Sequence, residues 1–374
     1  MGVLNIAPKQ WLIAKAFFND AANANVNKLS KKSNKQLDCS FIKVKNVLYA
    51  MANGTYLGEG GFSKVKIVET EQGMNYVVKI EGKKTDERTM SEFAAMNKLG
   101  KFIGSMERTL PVAQDFWKGK KEKPHMTQHK TYKLVLKEEG TDLFDQLYPP
   151  SKPLSDIQRL IIAIRICQGL ALIHEHNVIH ADLKPNNMLA TIDGNRIKVA
   201  ILDFGFSMIL ENGQTHVVDK VKGTEGYIAP EIYNPVNIEL SKREFSYASD
   251  IYALGALFIN NLKLDKTLFE NMMAEDPADR PKLSAVLDSL KSALAKEPEL
   301  DEIALEVLNG PTLKPAHRPL PKPPLNIVRH PLPVPAVAEA HLPLARLRAE
   351  QNKKAPMMVQ LNNELKMRLA ISIK

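Results

Sequence analysis

The sequence has 374 residues, 44% of them hydrophobic, which is enough to build one large two-lobed domain or two average ones. Its two cysteines, Cys39 and Cys167, exclude a disulfide framework and favour a reducing, cytoplasmic compartment, and no apolar run reaches the roughly 20 residues of a membrane span. The net charge of +9 lies at the two ends of the chain and leaves the middle acidic, so no specific nucleic-acid-binding core is expected.

The charge distribution defines two basic arms. Residues 1–49 hold eight lysines against two aspartates, and residues 310–374 hold eleven lysines and arginines against three glutamates. Such arms either contact acidic partners or are solvated tails. We therefore treat residues 1–49 as a basic N-terminal extension of the domain that follows.

A strand pattern begins near Thr55, and the last periodic helix, Lys282 to Leu294, ends just before Pro298. These limits predict one domain over residues 50–298. Residues 299–345 form a proline-rich linker, since ten of the 23 prolines lie between residues 311 and 343. Hydrophobic residues spaced four apart within residues 346–374 predict a C-terminal basic amphipathic helix.

The first motif with chemical meaning is a glycine-dense turn between two strand-like runs. Its sequence is Leu57-Gly58-Glu59-Gly60-Gly61-Phe62-Ser63-Lys64-Val65. Glycines let a backbone approach phosphates closely, with amides facing the anionic oxygens. An ordinary hairpin turn is the alternative.

A lysine, Lys79, interrupts the β-branched strand Tyr76 to Ile80. A lysine in an apolar strand is costly unless its ammonium reaches an anion, and phosphate oxygens are one candidate. We expect a carboxylate to hold it, and Glu92 in the helical run Ser91 to Leu99 is preferred. The run from Thr89 to Glu92 also fits a capping box, in which case Glu87 is the partner.

The most specific motif follows a long apolar helix capped by Ser155. It reads Val178-Ile179-His180-Ala181-Asp182-Leu183-Lys184-Pro185-Asn186-Asn187-Met188-Leu189. This segment resembles the catalytic loop of the protein kinase superfamily, of the Ser/Thr type. The resemblance implies that Asp182 orients the attacking hydroxyl, that Lys184 steadies the transferring phosphoryl group, and that Asn187 binds a metal ion.

The same resemblance extends to Asp203-Phe204-Gly205, which begins twenty-one residues after Asp182. It implies that Asp203 binds Mg²⁺ and that Mg-ATP is the cofactor, bound also by the glycine-dense turn and Lys79. The implied fold is α+β and bilobal, with a small antiparallel β N-lobe over residues 50–138 and a mainly helical C-lobe over 139–298. Phe204 is expected to pack beneath the helix that carries Glu92.

Further residues match the family's scaffolding. Glu231, after Ala229-Pro230, is expected to pair with Arg280, and Asp250 to hold the catalytic-loop backbone. The presence of Ala229-Pro230-Glu231 and Arg280 favours a protein substrate over a small molecule. Lys184, with Thr224 available to bond it, is the serine/threonine pattern.

Two departures from the family pattern concern control. Ala181 stands where many family members have an arginine that reads a phosphate on the activation loop, so we expect activity without loop phosphorylation. Only thirty residues separate Asp250 from Arg280, which indicates a shortened C-lobe. Compact domains of this kind resemble kinases that bacteria deliver into a host cytosol as effectors.

The proline-rich segment contains Arg318-Pro319-Leu320-Pro321-Lys322-Pro323-Pro324, a pattern that SH3 domains read. A stiff spacer is the alternative. Three functions therefore compete at this stage: an active kinase, a pseudokinase scaffold, and an adaptor acting through its tail. The joint presence of Lys79, Asp182, Asn187 and Asp203 favours the first.

Overall fold

The structure is a computed structural model that describes residues 4–52, 56–60, 63–82, 86–111, 127–148, 153–210, 216–218, 221–233 and 243–310. The chain divides into two compact units, Met1–Ile327 and Val328–Lys374. The second unit lies outside the described residues, as do the expected C-terminal helix and the segment Arg318 to Pro324.

The upper lobe is an antiparallel sheet in which described strands follow the order β1-β2-β3-β5-β6-β8-β7, with β4 paired to β5. The strands are β1 (Lys28–Leu29), β2 (Ser40–Val44), β3 (Val47–Met51), β4 (Tyr56–Gly60), β5 (Ser63–Glu69), β6 (Asn75–Glu81), β7 (Phe102–Pro111) and β8 (Thr127–Leu136). Alternating side chains of these strands form a buried cluster that includes Ile42, Val68, Val78 and Leu134. The cluster fixes the register of β6 and β8, and therefore the face on which Lys79 lies.

Helix α2 (Glu87–Lys98) packs beside this sheet and begins earlier than the expected Ser91. Asp86 is its N-cap, because the Asp86 carboxylate accepts a hydrogen bond from the Thr89 amide at 2.8 Å. The alternative interpretation of Thr89 to Glu92 as a capping box is therefore wrong. Glu92 consequently lies in the second turn of the helix, where its side chain is free to reach across to the sheet.

The N-terminal extension is folded in the structure. Helix α1 (Pro8–Asn19) buries Trp11, Ala14 and Phe18, and these side chains share a cluster with residues of β2 and β3. The rings of Trp11 and Phe41 meet edge to face at a centroid distance of 5.1 Å. The sheet therefore begins well before residue 50. The lysines of this segment belong to a folded part of the upper lobe.

The lower lobe is mainly helical. Its described elements are β9 (Thr141–Asp142), α3 (Leu143–Leu147), α4 (Asp156–Glu175), β10 (Val178–Ile179), β11 (Met188–Asp193), β12 (Arg196–Ile201), β13 (Met208–Ile209), β14 (His216–Val218), α5 (Pro230–Tyr233), β15 (Arg243–Phe245), α6 (Tyr247–Ala256), α7 (Lys266–Phe269), α8 (Leu283–Leu294) and α9 (Glu302–Asn309). Together the two lobes confirm the expected bilobal α+β architecture.

Helix α4 is the centre of the lower lobe. Ser155 and Gln158 form a capping box at its start, as expected for Ser155. By length and apolar composition alone this helix could cross a membrane. It is instead a core helix, because residues along it are buried against β12 and α8.

The expected start of the proline-rich linker at residue 299 is wrong. Helix α9 occupies residues 302–309, with Asp301 as its N-cap. Ala304 and Val307 are buried in the same cluster as α4 and α8. The folded domain therefore continues past Pro298, since this short helix covers an apolar face that α4 and α8 would otherwise expose.

Candidate active site

Lys79 lies in β6, where its side chain faces the space between the two lobes. Its Nζ atom is 2.8 Å from Asp203 Oδ1, 3.8 Å from Glu81 and 3.9 Å from Glu92. Burial acts to lower the pKa of Lys79, but the carboxylates, Asp203 first, outweigh it and raise this pKa above its ordinary value. Lys79 is therefore a fixed positive charge.

The structure places Glu92, the preferred partner, within ion-pair distance of Lys79. The side chain of the alternative, Glu87, is outside the described residues. Glu92 is only 4% exposed, and Phe93 and Met96 beside it are buried in the core shared with the lower lobe. The Phe93 ring stacks on Phe102 of β7 at 4.6 Å. These contacts hold α2 against the sheet.

Sequence reasoning missed a second lysine in this cluster. Lys133 of β8 is paired in register with Lys79 of β6, and its side chain is 1% exposed. Its Nζ atom donates to Glu81 at 2.8 Å and also to Glu92. The signal that identified Lys79, a lysine inside an apolar strand, is equally present in the run Tyr132 to Leu136.

Three side chains surround Asp182 of the catalytic loop. Asn187 Nδ2 donates to Asp182 Oδ2 at 2.8 Å and to the Asp182 carbonyl at 2.8 Å. Lys184 Nζ lies 3.0 Å from Asp182 Oδ2 and donates to the Thr224 hydroxyl at 2.6 Å. That hydroxyl in turn donates to Asp182 Oδ1 at 2.6 Å. The Asp182 carboxylate is thus held in one orientation by a closed network.

Asp250, at the start of α6, fixes the backbone that precedes Asp182. Its carboxylate accepts hydrogen bonds from the amides of His180 and Ala181, each at 2.9 Å, and contacts His174 Nε2 at 2.9 Å. Ala181 has a φ of 63°, a conformation that costs free energy in a residue with a side chain. The buried Asp250 carboxylate compensates for that strain, which agrees with its expected role.

Asp203 also has a left-handed backbone, with a φ of 57°. Burial acts to raise the pKa of this carboxyl, but the neighbouring Lys79 outweighs it, and the pKa lies below its ordinary value. Asp203 is therefore ionised at neutral pH. Phe204 is 2% exposed and belongs to the same buried cluster as Met96 of α2, and its ring lies 5.2 Å from that of His180.

The glycine-dense turn is a hairpin of β4 and β5, in which Gly60 pairs with Ser63. Gly61 and Phe62 lie outside the described residues, as do the side chains of Glu59 and its neighbours in β4. The hairpin belongs to the same sheet as β6. Binding of phosphates by its backbone amides stays a prediction.

Arg280 and Glu231 form the expected ion pair with two parallel hydrogen bonds, of 2.8 and 2.7 Å. The Arg280 side chain is fully buried and also donates to the carbonyls of Ala248, Ala274 and Glu275. The pair joins α5, at the end of the segment that follows Asp203, to the body of the lower lobe. It therefore fixes the end of this segment against the lower lobe.

The residues around the cleft fit a magnesium nucleotide. Asp203 supplies a carboxylate that is 45% exposed, and Asn187 supplies an amide whose nitrogen is bonded to Asp182, which leaves its oxygen for a cation. Oxygen donors suit Mg²⁺, which binds one or two protein side chains together with phosphates. Within the described residues no cluster of three or more His, Cys, Asp or Glu could hold a metal, so a dedicated all-protein cage is not found there.

Comparison with known proteins decides the family. The model of the protein kinase domain matches residues 51–310. The chain belongs to the protein kinase family. The match runs from the last residue of β3 through α9, so the kinase domain includes α9, which sequence reasoning assigned to the linker.

Among curated relatives, serine/threonine-protein kinase 17A of Oryctolagus cuniculus is 28% identical over 286 residues, 71% of this chain and 66% of that protein. Calcium/calmodulin-dependent protein kinase cmkB of Emericella nidulans is 28% identical over 54% of this chain and 47% of its own length. Myosin light chain kinase A of Dictyostelium discoideum is 31% identical over 48% of this chain and 57% of its own length. The chain thus spans about half to two thirds of these kinases.

The described part of this kinase contains a short connection between Asp250 and Arg280. Helix α6 continues as a π-helix over Leu257–Asn261, and α7 and a 3-10 turn over Glu270–Met273 complete the segment. Gly255 permits this close packing, since a Cβ there would lie 2.8 Å from the Met272 Cβ. The C-lobe is therefore compact on this side.

Proposed function

We propose that this chain is a serine/threonine protein kinase that transfers the γ-phosphoryl group of Mg-ATP to a Ser or Thr hydroxyl of a protein substrate. The observation that carries the proposal is the closed network of Asp182, Lys184 and Thr224, opposite the ion pair of Lys79 and Asp203. Charges of both signs thus lie in one cleft, where they can act on a phosphoryl group and on a hydroxyl.

Each residue has a defined task in this reaction. Asp182 accepts a hydrogen bond from the substrate hydroxyl and directs its oxygen toward the phosphorus. Lys184 and Lys79 place positive charge near the phosphoryl oxygens, where negative charge accumulates. Asp203 and Asn187 would hold Mg²⁺, which neutralises phosphate charge and orients the γ-phosphate when bound.

The preference for Ser and Thr rests on Lys184, whose ammonium is fixed by Thr224 at 2.6 Å. Transfer from γ-labelled ATP to a mixed peptide library, followed by phosphoamino-acid analysis, tests it. We expect phosphoserine and phosphothreonine. Phosphotyrosine alone on a good substrate would contradict the assignment.

We further propose that activity does not need phosphorylation of the activation loop. Ala181 provides no cation to read such a phosphate, and Thr224 and Lys184 are already bonded to Asp182 or to each other in the unmodified chain. Gly223, with a φ of 114°, lets the loop pass close to the Ala181 carbonyl. Phosphatase treatment should leave activity unchanged, and a loss that tracks a site between residues 207 and 224 would refute this proposal.

Two proposals concern where the kinase acts. The first is the cytoplasm as the compartment, or the cytosol of a host cell if the chain is an effector that bacteria deliver; the short connection between Asp250 and Arg280 supports the effector alternative by resemblance. A translocation reporter fused to the chain tests delivery, and retention of the reporter in the producing bacterium would contradict the effector alternative. The second proposal is an SH3-type partner for Arg318 to Pro324. Pull-down by a panel of SH3 domains, lost in Arg318→Ala with Pro321→Ala, is the expected result.

A further inference from the structure

Lys133 is a buried lysine that the reaction described above does not use. It lies on β8, between β6 and the edge strand β7, directly opposite Lys79 of β6, and both side chains are on the face toward α2. The Lys133 side chain is 1% exposed, whereas that of Lys79 is 22% exposed. Lys79 therefore faces the cleft, and Lys133 lies behind it.

The two lysines share two buried carboxylates unequally. Lys133 donates to Glu81 at 2.8 Å and to Glu92, while Lys79 is 3.8 Å from Glu81 and 3.9 Å from Glu92. The short contact of Lys79 is with Asp203, at 2.8 Å. Each lysine thus has its own principal partners.

Electrostatics explains why the second lysine is needed. Glu81 and Glu92 are 9% and 4% exposed, and two buried carboxylates close to one another are costly unless each is compensated by a cation. If Lys79 were their only counter-ion, it would be drawn away from Asp203 and from the phosphates of a bound nucleotide. Lys133 supplies the missing charge without occupying the cleft.

We propose that Lys133 is a positioning residue, which anchors Glu92 of α2 and Glu81 of β6 and so leaves Lys79 available to Asp203 and the nucleotide. The proposal rests on the proposed kinase activity. In this proposal β8 holds α2 against the sheet through Lys133. The ammonium also lies 5.7 Å from the Phe93 ring centroid, so it contacts the same helix at two adjacent residues.

As a consequence, contacts with the sheet fix the position of α2. Two other contacts act in the same direction: Ser91 Oγ donates to the Ser207 carbonyl at 3.0 Å, and Phe93 stacks on Phe102. Neither contact requires a phosphate on the activation loop. The lysine pair therefore provides a physical basis for a kinase that is competent when first folded.

The test is steady-state kinetics of phosphate transfer by the full chain, with ATP varied, for wild type, Lys133→Met, and Lys133→Met combined with Glu81→Gln. In Lys133→Met both carboxylates lose their contact with Lys133 and draw Lys79 toward them, so we expect KM for ATP to rise about five-fold and kcat to fall about ten-fold. The second change removes one carboxylate with the lysine. It should restore kcat/KM to within about three-fold of wild type, because Glu81 then carries no charge that competes with Asp203 for Lys79.

Lys15→Met is the matched control, since Lys15 forms an exposed ion pair with Glu71 far from the cleft, and its kinetics should equal those of wild type. If Lys133→Met does not fold, a folded and active double variant gives the same support. A purely structural lysine would lower the active fraction with KM unchanged and no rescue, and that result overturns the inference. A Lys133→Met enzyme with the same KM and kcat as wild type would also overturn the inference. An inactive wild type would instead refute the proposed function.

Discussion

The ion pair of Arg280 and Glu231 gives the largest stability effect that we expect from a single side chain. Arg280 is fully buried and makes two hydrogen bonds to Glu231 and three to backbone carbonyls, and its guanidinium lies 5.1 Å from the Tyr252 ring centroid. Arg280→Met removes one charge, leaves the Glu231 carboxylate without its counter-ion although Ser249 Oγ still donates to it, and leaves the three carbonyls without the guanidinium donor. Breaking a buried pair in this way costs about 3–5 kcal/mol.

For a domain of this size each kcal/mol corresponds to about 2–4 °C in Tm, so Arg280→Met should lower Tm by at least about 6 °C. Differential scanning calorimetry of the full chain measures it. Glu231→Met combined with Arg280→Met should recover part of the loss, because no buried charge is then left unpaired. Lys15→Met, which breaks an exposed pair, should change Tm by less than about 2 °C. An Arg280→Met variant whose Tm matches that control would refute the reasoning.

Three further outcomes follow from burial and charge. Lys79→Met should lose at least about 100-fold in kcat/KM, because the enclosed Lys133 cannot replace it in the cleft, and retained activity would show that it can. Val307→Asp should lower Tm by several degrees in thermal unfolding, since α9 is part of the core. An unchanged Tm would show that α9 does not contribute to the folded domain. Cys39 and Cys167 should resist a thiol reagent at pH 8 until the protein unfolds, because both are buried and burial raises the pKa of Cys39 to about 11. Rapid labelling of either cysteine in the folded protein would contradict this expectation.

The grouping of side chains in the candidate active site could be predicted from sequence because they lie in short segments where spacing alone sets the geometry. Asp182, Lys184 and Asn187 fall within six residues, so one loop conformation brings them together. The distant pair of Glu231 and Arg280 was predictable for a different reason, namely the family resemblance. No residue pattern in the chain itself requires those two segments to meet.

Lys133 shows what local patterns do not contain. The cost of a lysine in an apolar strand was visible at both Lys79 and Lys133, yet only strand pairing shows that the two lie side by side. Register between β6 and β8 depends on packing of the whole sheet, which a motif does not specify. The role of Glu81 was hidden for the same reason.

The two boundaries of the domain were predicted wrongly because lysine and proline content was given more weight than the pattern of apolar residues. Lysine content suggested an unpacked N-terminal arm, although Phe41 and Ile42 of β2 are completely buried. Pro298 suggested a final boundary, although Asp301 caps another helix three residues later. In both places a few apolar contacts with the existing core decide the structure, and such contacts cannot be read from charge or proline counts.

The most direct test of the central claim is transfer of labelled phosphate from Mg-ATP by wild type and by Asp182→Asn, measured under the same conditions. The substitution keeps the size of the side chain but removes the charge that orients the substrate hydroxyl. We predict that wild type phosphorylates Ser or Thr and that Asp182→Asn is slower by about 10²- to 10⁴-fold. Equal incorporation by the two proteins, or none by either, would contradict the account.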